Sequence, residues 1–219
     1  MNRRSTLLAA FALTAAAALT LSACGSDENS AAKNSDKVAG ADTDGEKSAS
    51  PSPSASEANG RPKITFPSGA KSVFEYEKTG NTAKDAALAD STLSVNSVDE
   101  AILQGSTDTK ALGFYNTDKA LSAYITYVRK YIDDGETWVG KTRYFNYKVT
   151  LSGAKKAYVT YCSDESRSYI KNKQTKKVDR SPATANAYVL YNTSLTLMTD
   201  GIWRTTDVVS NRGSETCQP

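Results

Sequence analysis

Not one histidine occurs among the 219 residues. Serine, cysteine and zinc-histidine hydrolases in their usual forms are thereby excluded, because each relies on an imidazole as base or ligand. Cysteine is nearly as scarce, with Cys24, Cys162 and Cys217 the whole complement. No Cys-x-x-Cys pair exists, so neither a zinc ribbon nor a dithiol redox centre is written in the chain, and no metal or cofactor is expected. Long apolar runs are missing except for Leu7 to Leu21, which contains only Ala, Leu, Phe and Thr. A surplus of one charge is also missing. Of 27 basic residues two are Arg3 and Arg4, and without them 25 bases face 24 acids, net +1. Residues 24–60 hold seven acids against Lys33, Lys37 and Lys47, net −4, which leaves +5 on residues 61–219. So modest a balance does not imply nucleic acid.

What the N-terminus does have is an export signal. Arg3 and Arg4 precede the apolar run, and residues 1–23 read as a signal peptide that is removed. The run closes in Leu21-Ser22-Ala23-Cys24, which resembles the lipobox of bacterial lipoproteins. That resemblance implies that the Cys24 thiol is diacylated and becomes the first residue of a lipid-anchored, extracytoplasmic protein. A thiolate is the best side-chain nucleophile for taking up a lipid group. With each buried methylene worth roughly 0.8 kcal/mol, two or more acyl chains anchor stably where one would not. The alternative is an uncleaved transmembrane helix over residues 7–23, for which the stretch is short. Arg3-Arg4 also raises twin-arginine export, but Thr6 stands where that signal has a large apolar residue, so Sec export fits better.

Residues 25–60 contain no aromatic residue, no Leu, Ile or Met and a single Val38. Such a segment cannot bury a core and reads as a flexible linker, with a reach of about 30 to 36 Å for a coil of this length. Asp42-Thr43-Asp44-Gly45 has the start of a calcium loop without its later ligands. Outside the cytoplasm the two remaining cysteines, Cys162 and Cys217, are expected to pair and pin the C-terminal segment.

Residues 61–219 suit one domain. From Thr82 to Gln104 the residues Leu88, Val95, Val98 and Ile102 recur near helical spacing, with Gly105 as the stop; Ser97 and Glu100 could form an internal capping box that splits the helix. A second helix has caps at Asn116 to Asp118, an apolar face of Ala120, Leu121, Tyr124, Ile125, Val128 and Ile132, and an end at Gly135. Tyr124, Tyr127 and Tyr131 form an aromatic stripe along it, a pattern that usually serves core packing. From Thr137 the period changes to two. Phe145, Tyr147, Val149 and Leu151 fall on one face, and Ala157, Val159 and Tyr161 follow the Ser152-Gly153 turn. Residues 187–198 alternate likewise and lead through Asp200-Gly201 into Ile202 to Val209. Helices followed by a meander of strands predict an α+β domain.

Asp118 to Gly135, Gly140-Lys141-Thr142-Arg143-Tyr144, Cys162-Ser163-Asp164 at a strand end, Tyr188 to Thr193, and Gly201-Ile202-Trp203 before Cys217 resemble an actinobacterial group of membrane lipoproteins with a nuclear transport factor 2-like domain. The resemblance spans most of residues 72–217. It implies N-terminal helices packed in a curved antiparallel sheet, a cone with a pocket at its wide end. Members of the wider superfamily include isomerases, dehydratases and many non-catalytic modules, so the fold does not decide the function.

Three readings follow. The first is a non-enzymatic envelope module that binds a small apolar ligand in the cone or a protein partner on the sheet. The second is an isomerase- or dehydratase-type enzyme. Superfamily enzymes place a carboxylate in the cone, which here points to Asp164, with Tyr124, Tyr144, Tyr158 or Tyr191 as hydroxyl donor. This second reading requires Asp164 to face an enclosed apolar cavity; an Asp at a strand end more often caps a turn. The third is adhesion to anionic lipid or wall polymer through Arg167, Lys171, Lys173, Lys176, Lys177 and Arg180, opposed over residues 167–180 only by Asp179, with a solvated loop as the plainer account. Ser68-x-x-Lys71, Lys78-Thr79-Gly80 and Ser94-Val95-Asn96 match the three motifs of penicillin-binding proteins in an order and spacing those enzymes do not use, and are read as coincidence.

Overall fold

A computed structural model describes residues 60–219; the expected signal peptide, the expected lipidation site Cys24 and the expected linker as far as residue 59 lie outside the described residues. The chain runs β1 (Ala70–Phe74), α1 (Thr82–Gln104), α2 (Lys110–Tyr115), α3 (Asp118–Asp133), β2 (Glu136–Ser152), β3 (Lys156–Asn172), β4 (Tyr188–Leu197) and β5 (Trp203–Arg212). The class is α+β, as the change of period at Thr137 predicts.

Helix α1 starts and stops where its sequence says. The Asn81 side chain accepts hydrogen bonds from the backbone N–H groups of Ala83 and Lys84 at 3.1 and 3.0 Å, satisfying two donors that the helix itself leaves unpaired. Gly105 ends it in the left-handed region, φ 72°, where a side chain would be strained. Between these caps the helix is continuous. The internal capping box does not form: Ser97 Oγ donates to the Ser94 carbonyl at 2.6 Å, and Glu100 Oε1 accepts from the Thr65 N–H at 2.8 Å.

The predicted stripe of Leu88, Val95, Val98 and Ile102 is buried, each side chain contributing about 2 kcal/mol of hydrophobic stabilisation. Asp90, Ser94 and Glu100, on other sides of α1, are buried too. The reason is that residues 61–65, α2 and the start of β5 cover that back face. Asp90 holds Arg61 and the Trp203 N–H. Ser94 Oγ donates to Asn116 Oδ1 at 2.6 Å and accepts from Thr205 Oγ1 at 3.0 Å. A helix enclosed on all sides needs polar groups that meet partners rather than one wet face.

The sheet order is β1-β2-β3-β4-β5. Strands β2 to β5 form the antiparallel meander that the alternation predicts. At the edge β1 pairs parallel to β2, from Ala70 opposite Gly140 to Phe74 opposite Tyr144, so the sheet is mixed rather than wholly antiparallel. Parallel neighbours need a long crossover, and α1 to α3 provide it.

The register of β4 against β5 shifts between Ser194 and Leu195, and two further bulges between β2 and β3 help curve the sheet around the helices. One adds a residue to β3 near Asp164. The other adds a residue to β2 between Phe145 and Lys148, with Asn146 at φ 55°. The second bulge corrects the reading of this strand. Because the extra residue reverses which side chains point inward, Phe145 does not share the face of Tyr147, Val149 and Leu151; the Arg143 guanidinium sits 3.9 Å from its ring centroid. Gly140 is obligatory for another reason, since a Cβ there would lie 2.2 Å from the Arg167 carbonyl oxygen. Strand β3 runs through Asn172, so Arg167 and Lys171 are strand residues and the loop expected over 167–180 begins only beyond them. Cys162 and Cys217 are joined, as expected, with Cα atoms 5.5 Å apart, tying the turn at Glu215–Cys217 to β3. Closing the 55-residue separation stabilises the fold by about 4 kcal/mol on the loop-entropy account.

Candidate functional site

Curvature leaves a cavity of about 590 Å³ between α1, α3 and the concave face of the sheet. Helix α1 contributes Val95, Val98, Asp99 and Ile102; α3 contributes Tyr124, Tyr127 and Tyr131; the strands contribute Trp138, Tyr144, Tyr161, Tyr191 and Arg212 among others; and residues of the 179–187 segment complete the lining. Seven of the chain's twelve tyrosines line it, with Trp138 as an eighth ring.

The rings are placed by register. Tyr161 on β3 lies directly opposite Tyr191 on β4, and such cross-strand pairs bring side chains into contact. Their rings stack with centroids 5.0 Å apart, and Tyr144 meets Tyr161 edge-on at 6.1 Å. Behind them Tyr147 stacks on Tyr161 at 4.9 Å. Burial pushes the hydroxyls of Tyr124, Tyr144, Tyr161 and Tyr191 well above their ordinary range, so all four stay neutral. They offer the cavity polarisable faces and uncharged hydrogen-bonding groups.

In the cavity wall stands Asp99, only 9 % exposed. Its Oδ2 accepts two hydrogen bonds, from Ser72 Oγ at 2.7 Å and from the Tyr144 hydroxyl at 3.2 Å. Among the described residues Oδ1 accepts none and no cation pairs with the group. Burial, opposed by the two hydroxyl donors and reinforced by the Glu165 charge, pushes its pKa up to about 7. At neutral pH the group is therefore divided between acid and carboxylate. Sequence reasoning passed it over, although the signal was present: Asp99 stands four residues after Val95 and three before Ile102, on the apolar stripe itself.

Asp164, the carboxylate that the sequence singled out, does not line the cavity. Its Oδ1 accepts from the Ser166 N–H at 3.0 Å and its Oδ2 lies 3.6 Å from Arg143 Nε. Burial raises its pKa, but those partners overcome that and leave it below the usual carboxylate range. It caps a turn and pairs with an arginine, outside the cavity that the catalytic role considered for it requires. Of the hydroxyl candidates, Tyr124, Tyr144 and Tyr191 do line the cavity, whereas Tyr158 is 48 % exposed elsewhere.

Also in the lining, Arg212 grips both carboxylate oxygens of Glu165, at 2.6 and 3.2 Å, and donates to the Asn186 carbonyl at 2.7 Å. This ties β5 to β3 and to the 179–187 segment. The six basic residues of the anionic-surface reading stay on the β3 end and its return. Lys173 Nζ donates to the Ile102 carbonyl at 3.4 Å, Lys176 Nζ to the Lys173 carbonyl at 2.6 Å, and the Arg180 guanidinium lies 4.8 Å from the Tyr169 ring centroid. None of Arg167, Lys171, Lys173, Lys176, Lys177 and Arg180 forms an ion pair among the described residues.

No family model and no curated protein matches the chain. Solved structures do resemble it. A ketosteroid isomerase-like protein from Erwinia carotovora atroseptica SCRI1043 is 15 % identical with a TM-score of 0.44, covering 61 % of this chain and 98 % of that one. The intermembrane space region of the chloroplast protein ARC6 is 10 % identical with a TM-score of 0.42, covering 60 % and 98 %. The chemistry of the cavity rests on its own residues.

Proposed function

We propose that this chain is an envelope lipoprotein, held at the outer face of the membrane through Cys24, whose domain binds a small organic molecule in the aromatic cavity. The observation that carries this reading is a cavity of about 590 Å³ lined by eight aromatic rings around one buried carboxyl group. Sites for small ligands are concave, largely apolar and furnished with a few placed polar groups, and this one has that make-up. Trp138, 4 % exposed and in the cavity wall, supplies the test. Titrating the full chain with 1-naphthalenemethanol is expected to change Trp138 fluorescence saturably and to raise the melting temperature; in Trp138→Phe the optical signal disappears. A signal that does not saturate, with no thermal shift, contradicts the reading. For the tether, Cys24→Ser is expected to move the protein from the membrane fraction to the soluble one.

Asp99 also favours a second reading. A carboxyl group with one free oxygen and a pKa of about 7 is suited to taking up and returning a proton, with the Tyr144 hydroxyl bonded to its other oxygen. In this reading the domain is an isomerase-type enzyme with Asp99 in the place the sequence assigned to Asp164. Asp99→Asn would then abolish turnover while leaving binding of the neutral probe in place.

A further inference from the structure

We propose that the ligand of this cavity is an organic cation, an amine or quaternary ammonium carried on an apolar body; the proposal rests on the cavity being a binding site.

The charges of the lining point the opposite way from those of the domain. Residues 61–219 carry net +5, yet the ionisable groups of the wall, tyrosines aside, are Asp99, Glu165, Asp179 and the single base Arg212. Arg212 has its charge answered within the protein, because Glu165 pairs with it in bidentate fashion and the Asn186 carbonyl takes a third of its five N–H donors. That pair is neutral as a unit, which leaves acidic groups only.

Asp99 is the only one of these acids buried among the rings. Its donors are two neutral hydroxyls, both on Oδ2, and Oδ1 is open. A neutral guest leaves that oxygen without a charged partner, and an anionic guest adds repulsion. An ammonium group satisfies it, and it does so beside tyrosine faces, whose negative quadrupole attracts cations most strongly when water is excluded. Rings around a lone carboxylate thus solve for a cation what the same wall fails to solve for other ligands.

Proton linkage makes the idea measurable. The groups facing Asp99 are Ser72 of β1, Tyr144 of β2, Tyr161 and Glu165 of β3, Tyr124 of α3 and Tyr191 of β4, with Arg212 of β5 neutralising Glu165. The tyrosines stay neutral, and Asp99 titrates near pH 7. A cation binds its carboxylate form, so affinity falls as the carboxyl is protonated, by about tenfold from pH 8 to pH 6.

The experiment uses the full chain and three probes of one shape: 1-naphthylmethylamine, 1-naphthalenemethanol and 1-naphthoate, titrated calorimetrically at pH 8 and pH 6. The expected result is that the ammonium binds about tenfold more tightly than the alcohol at pH 8, that its affinity alone falls on going to pH 6, and that Asp99→Asn reduces its advantage to near parity. If that variant does not fold, protons released on binding the amine to the wild-type chain, read from the dependence of the heat on buffer, decide the point. Alcohol binding as tightly as amine, or naphthoate binding most tightly, overturns the cation proposal and leaves the binding site standing. Failure of all three probes overturns both.

Discussion

Helix α1 carries two buried aspartates nine residues apart, and their surroundings could hardly differ more. Asp90 is 1 % exposed and fully partnered: Oδ1 holds Arg61 and Oδ2 accepts the Trp203 N–H at 2.9 Å. Asp99 is 9 % exposed, has neutral donors on one oxygen and, among the described residues, nothing on the other, and it lines the cavity. The first has its charge balanced and its lone pairs used, which is the condition under which a buried carboxylate supports a fold. The second meets neither condition. An acid left in that state destabilises the folded chain at neutral pH.

The comparison is broken or sharpened most strongly by pH. The folded-state pKa of Asp99 is raised to about 7 from an ordinary 3.8, so between those values the folded chain keeps a proton that the unfolded chain releases. Stability from this group is therefore full below about pH 4 and is lost as pH rises to about 7, a total of about 4 kcal/mol. Urea denaturation across that window is expected to show Asp99→Asn gaining on the wild-type chain by that order; a pH-independent difference would contradict it. Asp90→Ala should act in the opposite sense, costing about 3 kcal/mol because Arg61 and the Trp203 N–H lose their partner in a mostly buried place. A loss below about 1 kcal/mol would mean that Asp90 is no more structural than a surface ion pair. The smallest effect belongs to Tyr147, whose buried hydroxyl has no hydrogen-bond partner among the described residues. Tyr147→Phe is expected to stabilise the chain by about 1 kcal/mol in thermal melts, with probe binding unchanged.

How much of this was legible in the sequence depends on the range of the interactions. The bounds of helix α1 were readable because Gly105 marks its end and Leu88, Val95, Val98 and Ile102 keep its period, whereas its continuity through Ser97 and Glu100 was left open. The meander was readable because alternation and the turns at Ser152-Gly153 and Asp200-Gly201 are local signals. Strand β1 was not, since five residues pair with a strand some seventy positions later and carry no turn of their own. Nor was the inversion at Asn146, because one residue at positive φ shifts every later side chain while leaving the alternation intact to the eye. The candidate site suffered most. Asp164 attracted attention by its place at a strand end, but its charge is answered by Arg143 and the Ser166 N–H. Asp99 hid inside an apolar stripe, where the misfit of an acid among Val95, Val98 and Ile102 was itself the clue.

The most direct test of the contrast between the two aspartates is a carboxyl-carbon NMR titration of the wild-type chain. One aspartate is predicted to titrate with a midpoint of about 7, to vanish from the spectrum of Asp99→Asn, and to move to lower pH when 1-naphthylmethylamine is bound. If every aspartate instead titrates below about pH 5, as ordinary carboxylates do, Asp99 is not the unanswered charge described here and the cavity loses its reason to bind.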